Sequence, residues 1–137
     1  MRHSIEFGGD RRDVTVTTHG SATPEGFIQF NEELVDDPRF RPGMAILIDH
    51  SDLDVTPLTD VDIRAIAYCI VRLGERLGDS LAAVVAPSSL GHGLARASIS
   101  FVRPTALRLE TFRSADDALD WLDKQLRQGV PDLEAGA

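Results

Sequence analysis

Two short runs constrain the fold of this chain more than any other feature. Met44–Ile48 reads MAILI and Leu81–Ala86 reads LAAVVA. Neither alternates apolar with polar residues, so neither suits a strand with one wet face. Unbroken apolar runs of this length suit strands buried on both faces, as in a parallel sheet covered by helices. Parallel neighbours cannot be joined by a tight turn. They need a crossover of a dozen or more residues, usually helical.

The segments around these runs carry helical signals. Thr23 can cap a helix with Pro24 in its first turn, where the missing N–H costs nothing. Phe27, Phe30 and Leu34 follow at helical spacing, widened by Ile28 and Val35, and Asp37-Pro38 marks a stop. Thr59-Asp-Val-Asp62 has the form of a capping box. Ile63, Ile66, Ala67, Ile70, Leu73 and Leu77 then mark one face of a single long helix, with Gly78 placed as its C-cap glycine. A helix is predicted from Leu90 or Gly91 to Phe101, although Gly91, Gly93 and Ile99 weaken its propensity. A strand over 106–112 puts Leu107, Leu109 and Phe112 on one face. Ser114 caps a last helix with Asp116 and Asp117 in its first turn, where the helix dipole favours negative charge. Ala118, Leu119, Leu122 and Leu126 face inward, flanked by Trp121.

At the other end, Ile5–Phe7 and Val14–Thr18 alternate apolar and polar around a Gly-Gly-Asp turn, which predicts a β-hairpin. The predicted order is β-β-α-β-α-β-α-β-α. We expect an α/β fold over 1–129, a mixed sheet of about five strands in a single domain with an N-terminal hairpin, then alternating helices and mostly parallel strands with right-handed crossovers. Residues 130–137 are expected to be a flexible tail.

The 137 residues leave room for one core. The formal charge of -8 sets the chain against phosphodiester backbones and anionic lipid surfaces. We therefore expect no nucleic-acid partner and no membrane insertion. No apolar run approaches the roughly 18 residues of a membrane helix, and Met1–Glu6 lacks the apolar stretch of a signal peptide. A cytoplasmic location is the expectation. The one cysteine, Cys69, allows no internal disulfide and reads as a buried, inert thiol.

Two stretches could carry chemistry. Pro87-Ser88-Ser89-Leu90-Gly91 sits where a nucleophile elbow would sit, but its first glycine is a proline, and His92 lies next to the serines rather than far downstream. Gly91-His92-Gly93 is a lone G-x-G with neither the dinucleotide nor the Walker pattern. Ser88 or Ser89 capping the next helix explains the loop without catalysis. Asp49-His50-Ser51-Asp52, with Asp54, lies at the same sheet edge, where ligands gather in open α/β folds. Asp and His could serve as an acid-base pair or metal ligands, but neighbouring strand residues point to opposite faces. Asx- and Ser-type turns account for Asp49 and Ser51. We expect no catalytic residues, no metal and no cofactor. Phosphorylation at Ser51, Thr56 or Thr59 is a hypothesis resting on their place before a helix N-terminus.

The segments TPEGFIQFNEELVDDPRFRPG, AILIDHSDLDVTPLT, AAVVA followed by GLARAS, and ETFRSADDALDWL resemble the SpoIIAA-like family of STAS-related domains, the fold of anti-sigma-factor antagonists. The resemblance spans roughly residues 14–122. It implies a non-catalytic regulatory or protein-interaction module. It also implies a possible phospho-switch, whose matching place is Thr56–Thr59; the Asp-Ser-Ser-Gly pattern of that switch is absent here. The family has been compared with Sec14-type lipid-binding domains, which are larger and hold a dedicated apolar cavity. No such cavity is legible in this sequence. The expected working edge carries Asp49, His50, Ser51, Thr56, Thr59, Ser88, Ser89 and His92, facing a protein partner or a second copy in a homodimer. The alternatives are a small-molecule or lipid-binding protein with an apolar cleft at that edge and, behind it, a small serine hydrolase.

Overall fold

A computed structural model describes residues 1–129. The tail expected over 130–137 lies outside the described residues. The chain opens with β1 (Arg2–Phe7) and β2 (Val14–Ser21), paired antiparallel with Ile5 opposite Val16. The reversal between them passes through Gly8 and Gly9, both at positive φ, a conformation that glycine adopts without strain.

The chain continues through α1 (Pro24–Asp36), β3 (Ala45–Asp54), α2 (Asp60–Arg72), α3 (Gly74–Leu77), β4 (Leu81–Val85), α4 (Ser89–Val102), β5 (Arg108–Phe112) and α5 (Ala115–Gly129). The five strands lie in chain order, β1-β2-β3-β4-β5, and every pair after the hairpin is parallel. Strands laid down one after another in one direction, joined by crossovers of one hand, place all crossover helices on one face. The packing follows this rule. Ile46, Ile48, Ala82 and Val84 share a core with Phe30 and Leu34 of α1 and Ile66 and Cys69 of α2, and Ala95 of α4 packs against it. The residues between them, Ala45, Leu47, Leu81, Ala83 and Val85, pack on Ala118 and Leu122 of α5. One helix therefore covers the opposite face alone.

The caps sit where the sequence places them. Thr23 Oγ1 accepts the Gly26 N–H at 3.0 Å, and Ser114 Oγ accepts the Asp117 N–H at 3.2 Å. Thr59 and Asp62 form a full capping box.

Four local readings change. The helix predicted from Ile63 to Leu77 breaks at Leu73, whose ψ of 5° turns the chain out of the α-helix. A side chain at Gly74 would come within 3.1 Å of Thr105 Cγ2, so the break lets the loop before β5 approach closely. β3 runs on to Asp54 instead of ending at Asp49, because β2 continues beside it with Gly20 opposite Leu53. Phe112 packs with the α5 core, on the face opposite Leu109, as strand alternation requires. Leu126 is exposed rather than inward.

Candidate functional site

The site begins with a defect in strand pairing. Along β3, Ile46 and Ile48 face the three-helix side, and alternation sends His50 the same way. Three residues later Leu53 faces that side too. The parity changes because the β2–β3 register shifts between Thr17 and His19: Thr17 pairs with Asp49, but His19 pairs with Asp52. His50 and Ser51 together oppose Thr18. This is a β-bulge, a device that bends a strand and re-aims its side chains.

Alternation before the bulge delivers His50 to a particular environment. Its Nδ1 shares a 2.7 Å hydrogen bond with Thr18 Oγ1, which also lies 3.3 Å from the Asp49 carbonyl oxygen. Thr18 is fully buried. The Phe27 and Phe30 rings flank the imidazole, with centroids at 5.2 and 6.2 Å. Burial pushes the His50 pKa down to about 4, and the Asp49 charge opposes that shift only in part. The ring is neutral at pH 7.

In front of His50 lies a cavity of about 270 Å³ between α1, α2, α4 and the sheet. Its floor is Ile48, Val84 and Leu109; its walls include Phe30 of α1, Ile66 and Ile70 of α2, and Leu94 of α4. The exposed members of the lining are Ser51, Pro87 and Ser88, which puts the opening at the C-terminal edge of the strands. The void has a cause in sequence. Gly91 is buried at the start of α4, and an added Cβ there would come within 2.9 Å of the capping Ser88 Oγ. Beyond it the inward face of α4 carries the small residues Ala95 and Ser98. α4 buries only Gly91 and Val102, so its middle turns bridge the sheet without filling the space beneath.

The candidate residues separate into those that reach the cavity and those that do not. His50, Ser51 and Ser88 line it. Asp49 does not; its Oδ1 accepts the Ser51 N–H at 2.9 Å, the Asx-type turn expected from the sequence. Ser88 Oγ accepts the Gly91 N–H at 3.0 Å and caps α4. Ser89 is exposed in the first turn of that helix. Thr56 donates to Asp54 Oδ1 at 2.7 Å, and Thr59 holds the α2 cap. His92 Nδ1 lies 3.5 Å from Thr111 Oγ1 and outside the cavity lining. Among the described residues no serine is hydrogen-bonded to a histidine, so the elements of a Ser-His pair stand apart. Among the described residues no three His, Cys, Asp or Glu side chains converge as metal ligands. Burial pushes the Cys69 thiol up, away from thiolate chemistry. Among the described residues no helix is long and apolar enough to cross a membrane.

An apolar cleft at this edge stood among the alternatives; the sequence did not show its extent beneath α4, the place of Asn31 and Ser98 in its lining, or Thr18 behind His50. One faint signal exists. Asn31 stands inside the apolar stripe of α1, and its Nδ2 donates to the Phe27 carbonyl at 2.9 Å. A buried amide on a core face is a residue in want of an explanation.

No family model matches the chain, and no curated protein is similar to it. Among solved structures it is similar to an uncharacterised protein of the DUF3478 family with a SpoIIAA-like fold, from Shewanella loihica PV-4. That protein is 23% identical, with a TM-score of 0.58, over 89% of this chain and 96% of the other. The chain has a SpoIIAA-like fold.

Proposed function

We propose that this protein is a non-catalytic binding protein for a small, mostly apolar molecule held between α1, α2, α4 and the sheet. The observation that carries the reading is the cavity of about 270 Å³, apolar in floor and walls, with His50, Asn31 and three serines as the polar members of its lining. Sites of this kind are concave and chiefly hydrophobic, with a few placed polar groups that orient the ligand. The volume is nearly twice that of the roughly 150 Å³ engineered cavity that holds benzene. A ligand of about two fused rings, or a short chain of similar bulk, matches it.

The test is native mass spectrometry of the protein as purified from its host, with binding of naphthalene followed by NMR. The reading expects co-purified mass or saturable shifts of Phe27, Ile66 and Leu94 signals. Ser98→Phe, which fills the space, should abolish both. Saturable shifts that survive in Ser98→Phe, or none in the wild type, would sink it.

A second reading has its own support. Val61 and Tyr68 on the outer face of α2 are 73% and 71% exposed, with Val71 beside them. These residues fall within one arc of the helix together with exposed Arg64, and a mixed apolar and cationic face of this kind is where a partner or a second copy would bind. Sedimentation velocity decides between monomer and dimer, and Tyr68→Glu should dissociate a dimer built on this face. A regulatory role through Ser51, Thr56 or Thr59 has less behind it. A phosphate on Thr59 would replace the capping hydroxyl and sit beside Asp60 and Asp62.

A further inference from the structure

The ligand class can be narrowed from the polar atoms that the cavity leaves open. The Ser98 hydroxyl donates to the Ala95 carbonyl at 2.7 Å. The Ser51 hydroxyl donates to Asp49 Oδ1. Ser88 Oγ is occupied by the α4 cap. One N–H of Asn31 is held by the Phe27 carbonyl. His50 is different. Its Nδ1 is bound to Thr18, while Nε2 has no protein partner among the described residues. Thr18 and the two phenylalanine rings hold the imidazole in one orientation, and His50 is part of the cavity lining.

Which way Nε2 works depends on one proton. If the Thr18 hydroxyl donates to the Asp49 carbonyl, Nδ1–H donates to Thr18 and Nε2 is an acceptor. If Thr18 donates to Nδ1, Nε2 carries the hydrogen and donates. A hydroxyl serves either case, because it both donates and accepts. The cavity lining contains no Lys, Arg, Asp or Glu. A charged group on a ligand would lose its hydration there without meeting a counter-ion, which is the costly case.

We propose that the cavity selects a neutral, hydroxyl-bearing apolar molecule, its hydroxyl hydrogen-bonded to Nε2 of His50, and rejects the carboxylate of the same size. The proposal rests on the cavity reading above and adds a specificity residue to it. The neutrality of His50 at pH 7 is consistent with it, since a protonated ring would instead attract an anion.

Three probes of one shape test it by calorimetry or NMR titration at pH 7: naphthalene, 2-naphthol and 2-naphthoate. In the wild type, naphthol should bind about 5- to 10-fold more tightly than naphthalene, the worth of one net hydrogen bond. Naphthoate, ionised at this pH, should bind about 100-fold or more weakly than naphthol. In His50→Phe the naphthol advantage should vanish while naphthalene still binds. His50→Gln, which keeps a neutral hydrogen-bonding group, should restore part of it and stands in if the phenylalanine variant does not fold. Naphthoate binding as well as naphthol, or a naphthol preference untouched in both variants, overturns the proposal and leaves the cavity reading intact. Failure of all three probes to bind the wild type overturns the cavity reading and the proposal together.

Discussion

The two faces of the sheet solve the same problem in opposite ways. On one face a single helix, α5, lays Ala118 and Leu122 onto Ala45, Leu47, Leu81, Ala83 and Val85. Small strand residues let the helix sit close, and Ala118 and Leu122 are completely buried. Phe112 and Trp121 close the edge, with ring centroids 5.7 Å apart. On the other face three helices span the same strands, and their cover encloses the cavity. The extra helices bring more apolar surface but also small residues at the centre of α4. Coverage and filling are separate properties. Protein interiors normally reach crystal-like density, and this face stops short of it.

Substitutions tell the two faces apart. The largest effect belongs to the filled face. Leu122→Ala should cost about 2–5 kcal/mol, because the close-packed surroundings cannot collapse into the gap. Urea unfolding measures it, and a loss below about 1 kcal/mol would mean that the α5 face is not close-packed.

Acid comes next, and it acts on the cavity face. Unfolded His50 takes its proton near pH 6.5, whereas in the fold it takes it near 4. Between those values the unfolded state binds the additional proton, so stability is whole above pH 6.5 and falls as pH drops toward 4. The loss from this one group reaches about 3 kcal/mol. Unfolding free energies from pH 7 to pH 4 should show a slope in the wild type that is reduced in His50→Gln. Parallel pH curves for the two proteins would place the acid sensitivity elsewhere.

Overfilling separates the faces most directly. Ala83→Leu adds bulk where there is no room and should cost about 1–3 kcal/mol. Ala95→Leu adds the same bulk toward the cavity and should be neutral or stabilising, gaining up to about 1 kcal/mol. Matched thermal melts check the pair; equal losses would mean that the void cannot accept a side chain. The smallest effects are the caps. Thr59→Ala and Ser88→Ala, at the helices that frame the opening, should each cost about 1 kcal/mol by chemical denaturation. Ser88→Ala should also raise amide exchange at Gly91, whose N–H loses its acceptor.

Much of this architecture was legible along the chain because its causes are local. The capping residues act within one turn of their helices, and the hairpin announces itself by alternation around two glycines. The candidate site was legible only as an address. The edge at Asp49–Asp54 and Ser88 was found from the rule that ligands gather at strand ends. Which of its residues face the cavity was not found, because one extra residue at His50–Ser51 changes the parity of every side chain after it. Asp49 and His50 are neighbours in sequence and lie on opposite faces of the sheet.

The order of the elements, the hairpin, the caps and the parallel sheet are all written along the chain. Each follows from residue type and spacing within a window of a few turns or strands, and the run of strands in one direction then carries α1, α2 and α4 to one side. The tertiary structure alone decided that this side is hollow, that Thr18 holds His50 against Phe27 and Phe30, and that Nε2 is left open. A cavity is a shortfall of volume among residues such as Phe30, Ile66, Val84 and Ala95, far apart in the chain. A depressed pKa is a shortfall of water around one ring. Neither belongs to any residue until the others are in place.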